Sequence, residues 1–170
     1  MSEANGNWKV PAALAAEVDE LVTHYPEKRS ASLMVLHALQ EHLGYIGKEA
    51  MEWAAARLGL QPIQIYELVT FYPMFRQAPI GKHHFKICRT LSCALAGSQQ
   101  LHEHLCGQLG LDRHAHGPQT SKDGRVTVEF VECLASCGSG PSVMVNDDFY
   151  ERVTVEKADE LLARLKGGQA

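Results

Sequence analysis

Nowhere in this chain is there an unbroken apolar run of about 18 residues, so no segment is written to enter lipid. The first six residues, Met1-Ser2-Glu3-Ala4-Asn5-Gly6, have neither a basic n-region nor a following apolar stretch, which predicts a protein that stays in the cytoplasm. Basic clusters are missing too. Lys and Arg number 16 against 20 Asp and Glu, a formal charge of −4, so neither a nucleic-acid footprint nor a polybasic membrane anchor is visible. No Gly-x-Gly-x-x-Gly follows a strand-like run, and the chain is not expected to bind a dinucleotide by itself. No Cys-x-x-Cys occurs either, which argues against disulfide-exchange chemistry. Internal repeats and low-complexity tracts are absent.

Cysteines are present, and they are paired. Of the five, four form two short pairs, Cys88-x₄-Cys93 and Cys133-x₃-Cys137, while Cys106 stands apart. In a reducing cytosol paired thiols serve as metal ligands or redox groups more readily than as structural disulfides. With 170 residues, 45% of them hydrophobic, the chain can bury one good core or two small ones.

The hydrophobic pattern favours two, with a change of character near residue 80. Residues 1–78 read as a small helical bundle. Pro11 suits a helix start, and Leu14, Val18, Leu21 and Val22 form a stripe that Pro26 ends. A second helix from Ser30 carries Leu33, Leu36, Leu39 and Leu43 to Gly44. A third over 48–58 ends at Gly59, and Pro62 opens a fourth with Ile65, Leu68, Val69, Tyr72 and Phe75. The aromatic run 71–75 either packs inside the bundle or docks a partner. Residues 79–170 alternate differently. Strands are expected over 83–87, 126–131, 142–145 and 149–152, the last two as a hairpin around Asn146-Asp147-Asp148. Residues 91–97 read as a loop, Ser98 as the N-cap of a helix with Leu101, Leu105 and Leu109, and 111–124 as an exposed loop. Thr154 caps a final helix. The predicted class is α+β: helical bundle first, then a thioredoxin-like α/β domain with a mixed four-stranded sheet. In a parallel strand, helix, strand unit both cysteine pairs follow strand ends on one edge of the sheet, where they meet.

Four thiolates hold zinc tetrahedrally, usually from two-residue gaps. A two-iron cluster is wider, takes two Cys per iron, and lets longer gaps wrap the bridging sulfides. Gaps of four and three lean toward iron and sulfur, and spacing by itself leaves zinc open.

The residues also carry a resemblance. CRTLSCALAGS at 88–98, VECLASCG at 131–138, Pro141 and VMVNDDFY at 143–150 resemble the 24-kDa subunit family of NADH:quinone oxidoreductase (respiratory complex I). LHALQEHLGYI at 36–46 and IYELVTFYPMF at 65–75 extend the likeness, which covers roughly residues 10 to 165. The resemblance implies one [2Fe–2S] cluster on Cys88, Cys93, Cys133 and Cys137. It implies an electron-transfer subunit of an NADH dehydrogenase, catalytically incomplete alone, in the peripheral arm of a membrane-bound complex. FMN and NADH would be bound by a partner flavoprotein subunit of the 51-kDa type. Related parents are NAD-dependent formate dehydrogenases and NAD-linked or bifurcating hydrogenases. A zinc-stabilised assembly module is the reading from another class.

Arg89, beside a ligand, is expected to raise the cluster's potential, or else to face solvent or a partner; Glu132 is expected to lower it. Cys106, four residues after His102, reads as a structural thiol, and His114 and His116 as solvated loop residues.

Overall fold

Residues 9–166 are described in the computed structural model. They divide between Pro79 and Ile80 into two units.

In the first unit four helices bury one face each. Pro11, with φ −55°, precedes α1 (Ala12–Thr23), whose Leu14 and Val18 lie one turn apart and fully buried. A single 3-10 turn, Lys28–Ala31, leads into α2 (Ser32–Leu43), which starts two residues later than expected. Gly44, at φ 80°, ends it in the left-handed conformation that other residues resist. Then come α3 (Lys48–Leu58) and α4 (Pro62–Phe71), the latter opened by Gln64, whose side-chain carbonyl accepts the Gln61 N–H at 3.0 Å. Val35, Leu36, Leu39, Ile46, Ala54, Ile65 and Val69 complete the core. Each fully buried large aliphatic contributes about 1.5–3 kcal/mol by leaving water. The fourth helix stops at Phe71 rather than running on to Phe75. Pro73 forces its predecessor out of the helical region, and Tyr72 takes φ −90°, ψ 114°. The aromatic run therefore splits: Phe75 is buried against His37, with ring centroids 4.9 Å apart, while Phe71 stays 77% exposed.

The second unit is a mixed sheet with two long helices. Its order is β1 (His83–Cys88), α5 (Leu91–Leu95), α6 (Ser98–Leu109), β2 (Gln119–Thr120), β3 (Val126–Val131), a 3-10 turn Cys137–Ser139, β4 (Val143–Val145), β5 (Asp148–Tyr150) and α7 (Val155–Lys166). Across the sheet the strands run β2-β3-β1-β4-β5. Only β1 and β3 are parallel neighbours, with His83 opposite Val126 and Cys88 opposite Val131; the other pairs are antiparallel. Phe85, Ile87, Val128, Val143 and Val145 share one apolar cluster with Leu101 and Leu105 of α6 and Leu161 and Leu162 of α7. Both long helices thus cover the same face.

Three expectations are corrected here. The sheet has five strands, not four, because Gln119 and Thr120, inside the expected loop, pair with Val128 and Thr127. Two residues at an exposed edge carry no apolar alternation, and a hydroxyl contact accompanies their backbone pairing. Thr120 Oγ1 lies 2.7 Å from Thr127 Oγ1, which accepts Gly81 N–H at 2.7 Å. Only glycine fits at 81, since a Cβ there would meet the Arg125 carbonyl carbon and Val126 N at 2.8 Å. Residues 91–95 form a helix rather than a loop. Ser98 is the first residue of α6 and buried, and the N-cap is Gly97 at φ 103°, so the turn needs glycine more than a capping hydroxyl. No helix among the described residues is long and apolar enough to cross a membrane.

Candidate metal centre

Parallel pairing decides where the cysteines go. Because β1 and β3 run the same way in register, Cys88 ends β1 opposite Val131, and the chain leaving β3 turns at once into Cys133. Arg89 N–H donates to Val131 O at 3.0 Å, which extends the ladder one residue past Cys88. Cys93 follows on α5, and Cys137 opens the 3-10 turn before β4.

The two pairs differ in setting. Cys88 and Cys93 are 1% and 2% exposed, and Cys133 and Cys137 are exposed. All four are free thiols. Within the outer pair the sulfurs stand 3.9 Å apart. The pairs approach each other through their neighbours. The Leu134 backbone N–H, next to Cys133, helps to lower the pKa of the Cys88 thiol. Cys93 Sγ lies 3.9 Å from Ser142 Oγ, and Cys88 N–H donates to Ser142 O at 3.1 Å. Gly140 passes over the inner pair so closely that a Cβ there would sit 3.3 Å from both Cα and Sγ of Cys93.

Backbone N–H groups turn toward the sulfurs. Ala135, at φ 61°, is a non-glycine residue in the left-handed region, and its N–H points to Cys133 Sγ at 3.3 Å. Such donors favour thiolate over thiol. Burial alone would raise the Cys88 thiol, but the Thr90 hydroxyl at 3.2 Å and the N–H groups of Leu134 and Thr90 bring it below its ordinary value. Cys93 is pushed up, first by burial and then by the neighbouring Cys88, against the opposing Ser142 N–H. The two thiols of the inner pair are thus shifted in opposite directions.

Those features fit a thiolate-bound two-iron group. One cysteine pair follows each of the two parallel strands, which end at the same edge of the sheet, the Ala135 N–H points at Cys133 Sγ, and Gly140 has no Cβ to press on Cys93. Among the described residues no group of three or more His, Cys, Asp or Glu side chains is arranged to hold a metal ion, these four cysteines included.

The remaining candidates fall outside this arrangement. Arg89 and Glu132 pair with each other, Nε to Oε1 at 2.9 Å, with a second contact from Nη2. The expected opposite influences are therefore one exposed ion pair. Cys106 is fully buried in the sheet–helix core, its thiol pushed up by burial, with His102 Nε2 at 3.6 Å. His102 itself stacks on Phe130 at 4.0 Å, so this pair is core rather than ligand. His114 and His116 are exposed on the loop between α6 and β2. Sequence reasoning missed Thr90 and Ser142, while Gly140 lies in the 137–141 stretch expected to bend the backbone around the cluster. Thr90, two residues past Cys88, and the small residues flanking Pro141 were the available signals.

Comparison with known proteins shows the family. The thioredoxin-like [2Fe–2S] ferredoxin family matches residues 18–166. An NADH-quinone oxidoreductase subunit of Rhizobium meliloti (strain 1021) is 33% identical over 153 residues, 90% of this chain and 89% of the relative. NADH-quinone oxidoreductase subunit 2 of Thermus thermophilus is 36% identical over 156 residues, 89% of this chain and 83% of the relative. Among solved structures, NAD⁺-reducing [NiFe]-hydrogenase in the air-oxidised state shares the fold, with TM-score 0.64 and 22% identity over 78% of this chain, which spans only 22% of that one. The chain belongs to the thioredoxin-like [2Fe–2S] ferredoxin family, alongside these NADH-quinone oxidoreductase subunits.

Proposed function

We propose that this chain is the electron-transfer subunit of an NADH:quinone oxidoreductase, with Cys88, Cys93, Cys133 and Cys137 holding one [2Fe–2S] cluster. The observation that supports the reading is that one cysteine pair follows each of the parallel neighbours β1 and β3 at the same edge of the sheet, in a chain of this family. When bound, the cluster supplies one-electron exchange beside a partner's two-electron hydride chemistry.

The chain's own residues set the conditions for that exchange. Cys88 and Cys93, buried beneath Gly140 and Ser142, keep water from one side of the group. The N–H groups of Leu134 and Ala135 stabilise negative charge on the sulfurs. Cys133 and Cys137 leave the other side open, as electron exchange with a partner requires. Leu91 and Leu95, on the short helix that carries Cys93, are 75% and 80% exposed. Two such leucines beside a redox centre offer an apolar rim to a partner surface. The partner is a flavoprotein that holds FMN and NADH, and the assembled pair forms part of a complex's peripheral arm. NADH-quinone oxidoreductase is the preferred parent because relatives at 33–36% identity carry that name. The hydrogenase likeness speaks to the fold alone.

Reduction by NADH tests this function. The iron-loaded chain mixed with its flavoprotein partner and NADH should develop the paramagnetic signal of the reduced cluster, and the chain with NADH alone should not. Reduction without the partner, or none with it, would contradict the reading.

A further inference from the structure

The loop that carries the outer pair has little regular structure to hold it. From Gly138 onward it is fastened to the segment after β5 instead. Arg152 N–H donates to Ser139 O at 2.9 Å, and Val153 N–H to Pro141 O at 3.0 Å. At the centre of this seam stands Glu151. The hydroxyls of Ser136 and Ser139, 2.6 Å apart, both donate to Glu151 Oε1. Two hydroxyl protons are available, and an ionised carboxylate oxygen accepts both. Those two hydrogen bonds, Ser136 first, hold the Glu151 carboxyl below its ordinary range, with Arg152 and Lys157 adding to the effect. Lys157 Nζ also donates to Glu151 O at 3.0 Å, which ties the backbone there to the first turn of α7.

From Ser136 the contacts run on toward the buried pair. Ser142 Oγ approaches Ser136 O at 3.5 Å and lies 3.9 Å from Cys93 Sγ. Ser136 also precedes Cys137 directly and follows Ala135, the left-handed residue whose N–H faces Cys133. One carboxylate therefore grips the stretch of backbone whose shape places Cys133 and Cys137. Loops left to themselves lose conformational entropy on adopting a single shape, and two hydrogen bonds to one carboxylate offset part of that loss while ordering only one long side chain.

We propose that Glu151 is a positioning residue for the outer cysteine pair, latching Ser136 and Ser139 and setting a fixed negative charge beside the centre. The inference rests on the assignment of the four cysteines as cluster ligands. Its two components separate by substitution. Glu151→Ala removes both latch and charge. Glu151→Gln keeps an oxygen that accepts the hydroxyls and removes only the charge.

The test uses the full chain in three versions, wild type and these two variants. Amide hydrogen exchange is followed in the iron-free protein, and iron loss to a chelator and midpoint potential in the iron-loaded one. Glu151→Ala should speed exchange at residues 134–139 and hasten iron loss about tenfold, the usual effect of removing a group that orients a ligand. Glu151→Gln should hold iron nearly as well as wild type and raise the potential, by about a threefold change in the reduction equilibrium for one screened surface charge. Wild-type exchange and iron loss in Glu151→Ala would overturn the latch. So would iron loss in Glu151→Gln as fast as in Glu151→Ala. An unchanged potential in Glu151→Gln would overturn the role of the charge. Failure of every version to bind iron would instead overturn the ligand assignment beneath it.

Discussion

The inner and outer cysteine pairs are built by opposite means. Cys88 and Cys93 stand on a strand end and a helix, almost without exposure, and the core that stabilises the fold also fixes their sulfurs. Cys133 and Cys137 are exposed on a loop that side-chain and turn hydrogen bonds hold in place. Half of the site is therefore a by-product of folding, and half depends on a few polar contacts. The division suits a redox centre that needs a dry, rigid side and an accessible one.

The largest effects should come from removing the proposed ligands, and they should separate the pairs. Cys93→Ala and Cys137→Ala should each abolish stoichiometric iron. In the iron-free chain, however, Cys93→Ala should cost about 1 kcal/mol of stability, from lost burial and a small cavity. Cys137→Ala should stay within about 0.5 kcal/mol, as surface changes do. Urea denaturation of the iron-free variants checks this, and equal costs would erase the distinction. Gly140→Ala comes next. Its new Cβ would press on Cys93 at 3.3 Å and on Ala96 Cβ at 3.4 Å, and both neighbours are backbone-anchored. Iron retention should fall about tenfold, which competition with a chelator measures.

The exposed Arg89–Glu132 pair should act more gently. Arg89→Ala should lower the midpoint potential and Glu132→Ala raise it, each by about a twofold change in the reduction equilibrium. The double variant should return close to wild type in a redox titration, since the pair's fields largely cancel.

Smallest is a pH effect on the core beneath the site. His102 and His83 are both held below the ordinary histidine range, chiefly by burial; Lys82 and Arg125 reinforce this at His83, and Glu103 opposes it at His102. The folded protein thus refuses protons that the unfolded chain accepts. Stability should be full above the ordinary histidine pKa and decline as pH drops through it toward the depressed folded values. His102→Gln should flatten this limb of the urea midpoint against pH in the iron-free chain.

Much of this fold was legible because apolar periodicity and breakers agree. Leu14 with Val18, Gly44, Gly59 and Pro62 mark helices and their ends, and the alternation of 83–87 and 126–131 marks strands. What stayed hidden is what depends on neighbours distant in sequence. The strand at Gln119 and Thr120 exists because Thr127 and Gly81 arrive beside it. Pro73 was in plain view, yet the apolar pattern running on to Phe75 concealed the helix end it causes. For the site, the cysteine spacing and the family likeness pointed to four thiolates. The spacing held no information about which pair is buried, because Cys93 is sealed by Gly140 and Ser142, far along the chain. Glu151 was invisible for the same reason: its partners Ser136 and Ser139 form no motif with it in sequence.

The most direct test of the central claim is electron paramagnetic resonance on the anaerobically purified, dithionite-reduced chain, with iron, sulfide and zinc quantified in the same sample. Four cysteines holding one [2Fe–2S] cluster require two irons and two acid-labile sulfides per chain and a spin-half signal near one spin per chain. A colourless, silent protein carrying one zinc, and refusing iron and sulfide on reconstitution, would contradict the account.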